Sequence, residues 1–330
     1  MAQTCRLPEC TFSQTGVCLE NNPVDGCPNR TATDAVEEAR LSADVPPPLQ
    51  PPPSRPRFPP SLTLGTAEAR QLMNGRYCRV IGIVGAPDSG KTASLVSLYL
   101  QLARRKLAGF EFADSRSIMA FNEISQGARR WNEGKPPEQM TSHTEPSDDR
   151  DAGYLHLRLR RTADRRAVDL LLPDLPGEWS TSFIDSNRAD RLHFLKSADA
   201  IWVMADGRQL IASESRRGAL RRLDLLLQRI AALLPQPPLL LLVISHHDSG
   251  APRPEDLDAL ARDSGARGLP IEVVSIASFS RADSQIPAGF GIAELIAKSI
   301  APRTRPLAFW PDRDLTQESR AMLRLAANGD

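Results

Sequence analysis

Arg79-Val-Ile-Gly-Ile-Val-Gly85-Ala-Pro-Asp-Ser-Gly90-Lys91-Thr92 is the stretch that decides the fold. Val80 to Val84 is an apolar run of strand length. It breaks into an octet, Gly85 to Thr92, that fits the pattern G-x-x-x-x-G-K-[ST]. From Thr92 to Ala108 the apolar residues Ala93, Val96, Leu100, Ala103 and Leu107 recur at mostly helical spacing, and Gly109 is a suitable C-terminal stop. The chemistry requires this order. A buried strand delivers a tight loop, here Gly85, Ala86, Pro87, Asp88, Ser89 and Gly90, whose backbone N–H groups converge on phosphate oxygens. The next helix presents its unbonded N–H groups and positive dipole end to the same anion. Lys91 then reaches the β- and γ-phosphates, and the Thr92 hydroxyl ligates Mg²⁺.

Downstream of this loop the chain repeats one plan. Ala167 to Leu172 is a continuous apolar run that ends in Pro173-Asp174-Leu175-Pro176-Gly177-Glu178. An aspartate at the C-terminal end of a buried strand is placed to hold Mg²⁺ through water, and Gly177 can give its N–H to a γ-phosphate. Further strands are expected over Ala200–Ala205, Pro238–Ile244, which runs into Ser245-His246-His247-Asp248, and Ile271–Ile276, which runs into Ala277-Ser278. Helices are expected over Thr66–Asn74, Arg188–Ala198, Ser213–Leu234 and Phe290–Ile300, with a loop and short helix over Pro254–Ser264. Phe110 to Ser125 reads as a helical continuation, and Tyr154 to Arg160 alternates as a half-buried strand near an edge. Strands alternating with helices give an α/β fold: a three-layer P-loop NTPase with a mostly parallel sheet flanked by helices, its ligand site at the carboxyl ends of the strands.

Asn132 to Arg150 is polar and proline-containing, a long loop for a compact domain. It sits where a nucleotide-sensing switch belongs, and Thr141 and Thr144 are its hydroxyls for a Mg²⁺–γ-phosphate unit, Thr141 the preferred one. A plain solvent loop is the other reading.

The chain is long enough for more than one unit. With 41 Lys+Arg against 40 Asp+Glu, the net charge of +1 gives no reason to propose nucleic acid or a membrane as partner. No apolar run reaches membrane-spanning length, and the N-terminus has cysteines and acids where a signal peptide needs an apolar core, so the expected compartment is cytoplasmic. Four of the 5 cysteines, Cys5, Cys10, Cys18 and Cys27, fall in a segment too poor in apolar residues to fold by burial alone. Three readings stand: one structural Zn²⁺ held by four thiolates, reduced unliganded thiols, or disulfides, which the expected compartment disfavours. The spacings x4, x7 and x8 are not the paired C-x2-C of common zinc ribbons. The prolines of Val45–Pro60 are expected to form a semi-rigid polyproline II spacer, with a ligand for an aromatic-lined recognition groove as the alternative. The expected organisation is a cysteine-rich module (1–30), a short helix and proline-rich linker (31–60), the main domain (61–300) and a C-terminal tail (301–330).

The order G-x4-G-K-T, long loop, D-x-x-G, strand–helix pair and S-H-H-D resembles a Ras-like small GTPase domain over about Tyr77 to Ile300. Asp174-Leu-Pro-Gly-Glu178 and the cysteine segment around Thr15-Gly-Val-Cys18-Leu-Glu are similar to the bacterial double-GTPase proteins, placed in conflict, anti-phage defence or signalling systems. The resemblance implies a GTP/GDP switch with Mg²⁺ on Thr92 and Asp174, Gly177 sensing the γ-phosphate, and Thr141 as the switch I threonine. It implies that Asp248 bonds guanine bidentately, that Ala277–Ser278 contact its O6, and that protein partners meet the switch loops, the N-terminal module or the tail. Two departures matter. The base-recognition motif [NT]-K-x-D reads Ser245-His246-His247-Asp248, so the lysine that packs along the base and supports the phosphate loop is missing; histidine is largely neutral at pH 7. Glu178 stands where glutamine orients the attacking water, which implies slow hydrolysis. An ATPase or kinase on the same loop, and an adaptor with a degenerate site, are the alternatives.

Overall fold

The computed structural model describes residues 6–7, 9–23, 27–29, 63–129, 153–173, 175, 177–281 and 283–302. They fall into two units divided between residues 57 and 58. In the first, a single helical turn, α1 (Phe12–Thr15), ends at Gly16, and the Arg6 N–H donates to the Asn29 carbonyl at 2.9 Å. The proline-rich linker, Cys5, Thr141, Thr144, Asp174 and the tail from residue 303 lie outside the described residues.

The second unit is built on a seven-stranded sheet of order β2-β3-β4-β1-β5-β6-β7. The strands are β1 (Cys78–Gly85), β2 (Phe110–Asp114), β3 (Tyr154–Arg161), β4 (Ala167–Pro173), β5 (Ala200–Asp206), β6 (Leu239–Ser245) and β7 (Ile271–Ser275). Pairings from β4 through β7 are parallel, while β2–β3 and β3–β4 are antiparallel. The two-residue period of a strand sends neighbours to opposite faces. Val80 and Val84, Ile201 and Val203, and Leu240 and Leu242 enter one core with Trp179, Phe183, Leu227 and Ile230. Ile81 and Ile83, Trp202, and Leu241 and Val243 enter the other with Leu95, Leu98, Phe121 and Ile296. Helices therefore cover both faces: α6 (Gly177–Ser186), α8 (Arg216–Leu233) and α9 (Pro254–Ala266) on the first, and α3 (Lys91–Ala103), α4 (Ile118–Ile124) and α10 (Ile292–Ser299) on the second. Short α2 (Thr66–Gly75), α5 (Gln126–Arg129) and α7 (Gly207–Ile211) complete the set. This is the expected three-layer P-loop architecture.

Several local expectations are corrected. Phe110–Asp114 is not helical; it is an antiparallel edge strand outside β3, and β3, second in the sheet, lies near the edge as expected. Arg188–Ala198 holds only a 3-10 turn, His193–Ser197, with Leu192 and Leu195 buried three residues apart, the 3-10 period. Pro254–Ala266 is a full helix, with Pro254 in its first turn and Glu255 and Asp256 at its positive end.

A polar network crosses the sheet at β3. His156 is completely buried; its Nδ1 accepts from the Arg116 N–H at 2.9 Å, which puts the proton on Nε2, 3.0 Å from Asp169 Oδ1. Arg76 meets the same carboxylate at 3.2 Å. Burial lowers the His156 pKa and outweighs the opposing pull of Asp169. An unfolded histidine takes a proton near pH 6.5 that the folded one resists, so this contribution is full above that pH and is lost as pH falls through the lower folded value. The melting temperature of the wild type should fall between pH 7 and pH 5. In His156→Gln that fall should be shallower, from a lower starting value, as measured by calorimetry across the pH series.

Candidate functional site

The site forms where β1, β4, β5, β6 and β7 end. β1 stops at Gly85, and the chain turns through Ala86–Gly90 before α3 begins at Lys91. Two left-handed residues make the turn, Asp88 at φ 59° and Gly90 at φ 89°. Glycine suits the second on two counts, because a Cβ there would stand 3.1 Å from the Ser245 Cβ. The Gly85 N–H donates to Ser180 Oγ on α6 at 3.0 Å, and Ser89 Oγ donates to the Ala86 carbonyl at 2.8 Å. Lys91 is buried, and its ammonium folds back onto the carbonyls of Gly85 at 3.0 Å and Ala86 at 2.9 Å. Thr92, in the first turn of α3, is partly exposed. A loop wound this tightly ahead of a helix, with an ammonium beneath it, fits a chain of phosphates.

Gly177 opens α6 directly against this loop: a Cβ on it would fall 2.7 Å from both Cα and N of Pro87. Glu178 follows with its side chain exposed, while Trp179 is buried beneath the guanidinium of Arg191, 5.0 Å from the ring centre. The D-x-x-G glycine and the phosphate loop are thus in contact, as the sequence order implies.

At the far end, Asp248 lies in a 3-10 turn, His247–Ser249, after β6. Its Oδ2 accepts from the Arg281 N–H at 3.2 Å; its Oδ1 is buried with no donor among the described residues. Ser278 Oγ and Ser280 Oγ, after β7, are likewise buried without partners among those residues. Of the pair Ala277–Ser278 expected to contact the base, the Ala277 N–H is engaged by the Phe290 carbonyl at 3.1 Å. His246 adopts a left-handed φ of 53°, and its pKa is lowered, first by burial and then by the charge of Arg208. His247 stacks on Phe290 with ring centres 5.4 Å apart.

Sequence reasoning passed over Ser180, the Asp206–Arg208 pair and the Phe290 platform. They come to the site from positions that carry no motif, Asp206 through its register with Ser245 and Phe290 through its bridge to Ala277. Cys10, Cys18 and Cys27 are half-buried in the first unit, and among the described residues no group of three or more His, Cys, Asp or Glu is placed to hold a metal ion. The expected four-thiolate site thus gains no support. Among the described residues no helix is long and apolar enough to cross a membrane.

A phosphate loop at the end of a central parallel strand, touched by a D-x-x-G glycine, defines a P-loop GTPase-like domain. The chain belongs to the Double-GTPase 2 family, whose model matches residues 79–301. No curated protein matches the chain. Similar solved structures include the signal recognition particle receptor SRb-GTP/SRX complex from Chaetomium thermophilum, at 15% identity, 63% of this chain, 94% of that one and TM-score 0.39. Another is described as nucleolar GTP-binding protein 1 from Plasmodium falciparum, at 12% identity, 67% of this chain, 84% of that one and TM-score 0.37.

The contact at Gly177 gives a direct test of the site. Gly177→Ala places a methyl group against rigid loop backbone, and overpacking of this kind costs about 1–3 kcal/mol. Denaturant unfolding should show a lowered midpoint with an unchanged m-value.

Proposed function

We propose that the chain is a guanine-nucleotide switch that binds GTP and GDP and hydrolyses GTP slowly. The observation that carries this reading is Oδ1 of Asp248, buried and without a donor among the described residues. Guanine offers neighbouring N1–H and N2–H donors to a carboxylate, whereas adenine presents a lone pair at N1 and a C–H at C2. Ser278 Oγ can donate to O6. The loop Gly85–Gly90 would cradle the phosphates, with Lys91 exchanging its carbonyl partners for phosphate oxygens. Thr92 and Asp174 would hold Mg²⁺, which neutralises charge on the β- and γ-phosphates. Gly177 would report the γ-phosphate through its N–H, and Thr141 would close over it from the long loop. A role in bacterial conflict or signalling, exerted through protein partners of these loops, accompanies the reading.

Glu178 sets the expected rate. An exposed carboxylate beside the γ-phosphate can orient water, but its negative charge opposes charge development on the transferring phosphoryl group. GTP turnover by the purified chain should stay below about 1 per second, and Glu178→Gln should raise it. Faster wild-type turnover contradicts this assignment.

Base recognition is tested by exchanging one hydrogen-bonding atom. Asp248→Asn should weaken GTP at least about tenfold and improve XTP, whose C2 carbonyl accepts where guanine donates. Lys91→Ala should weaken both. ATP binding by the wild type as tight as GTP binding would contradict the guanine reading.

A further inference from the structure

The base-recognition motif lacks its lysine, and the histidine in that place carries no charge at neutral pH, yet the site is not without a cation. Asp206, the last residue of β5, is in register with Ser245, the residue before His246. Its buried carboxylate grips Arg208. Oδ1 accepts from the Arg208 backbone N–H at 2.9 Å and from Nε at 3.0 Å, and Oδ2 accepts from Nη2 at 2.9 Å. The fork geometry fixes the guanidinium plane by one edge. Nη1 makes no hydrogen bond among the described residues, and the side chain is 51% exposed. The charges of Asp88 in the phosphate loop and Asp248 in the base motif both act on Arg208, as does its own toward His246. Gly90 of the loop faces Ser245, the strand partner of Asp206, so Arg208 follows β5 beside both the loop and the base-recognition motif. The other arginine near Asp248, Arg281, turns its guanidinium to Asp283 at 3.2 and 3.0 Å.

We infer that Arg208 is a nucleotide-binding residue: held by Asp206, it lays its guanidinium against the base and ribose of a guanine nucleotide and supplies the cation missing from Ser245-His246-His247-Asp248. The inference rests on the guanine-nucleotide reading above. A planar guanidinium stacks on an aromatic ring and keeps its charge at any physiological pH. Asp206 is the positioning residue, since it fixes the plane without needing to touch the ligand. Because the contact is at the base end, it is indifferent to the number of phosphates.

The test is calorimetric titration of the full chain with GTP and with GDP in Mg²⁺. Arg208→Ala should weaken both by the same factor, about tenfold or more. Adding His246→Lys to Arg208→Ala should restore most of the loss, because it returns the cation to its usual place. Lys91→Ala reports the phosphate loop separately. If Asp206 left unpaired prevents folding, the neutral pair Asp206→Asn with Arg208→Gln takes the place of the single variant. Wild-type affinity in Arg208→Ala, a loss confined to GTP, or no rescue by His246→Lys would each overturn the inference. Such results leave the guanine-nucleotide reading intact as long as wild type binds and Lys91→Ala does not. Absence of guanine-nucleotide binding by the wild type overturns both.

Discussion

The close seating of the phosphate loop between the start of α6 and the end of β6 is the constraint on which the rest depends. The loop's first N–H is taken by Ser180, its last glycine faces Ser245, and its proline bears on Gly177. Two of these contacts come from α6, the helix that follows β4, and the third from the end of β6. They meet only because β4, β1, β5 and β6 run parallel in adjoining register, so their carboxyl ends lie at one level. Parallel strands buried on both faces must be almost wholly apolar. The polar chemistry is therefore displaced to these ends, where backbone groups no longer pair within the sheet. The same apolar runs that fill the two cores thus determine where the site lies.

Within that frame the two ends of the site follow different electrostatic designs. The end at Gly85–Lys91 is built from backbone dipoles and one buried ammonium that rests on carbonyls of its own loop. The end at Asp248 is built from side chains: a carboxylate with one oxygen lacking a donor among the described residues, a neutral imidazole, and a guanidinium clamped to a buried aspartate. Desolvation keeps His246 uncharged, and the neighbouring arginine reinforces that. On the inference above, the cation that the usual motif carries and His246 does not is supplied by Arg208 of α7, which follows β5.

Much of the fold was legible because it rests on long, regular signals. β1, β4, β5, β6 and β7 are apolar runs bounded by turn residues, and α8 carries Leu223, Leu227 and Ile230 at helical spacing. What escaped was short or stabilised by tertiary contacts. Phe110–Asp114 is only five residues long, and its alternation exposes Phe112. α6 is rich in serine and opens with glycine; it is helical because Trp179, Phe183 and Ile184 bury one face against β1, an override of weak propensity by packing. At the site, the phosphate loop and Gly177 were readable because spacing along the chain encodes them. Arg208 was not. Its place depends on the pairing of β5 with β6, which no local pattern records.

The most direct measurement is a crystal structure of the chain with Mg²⁺ and a non-hydrolysable GTP analogue. The expected result has phosphates wrapped by Gly85–Thr92 and the base edge on Asp248, with Oδ1 accepting from guanine. A structure with the nucleotide in the loop but its base turned away from Asp248, or with no nucleotide at this site, would contradict the account.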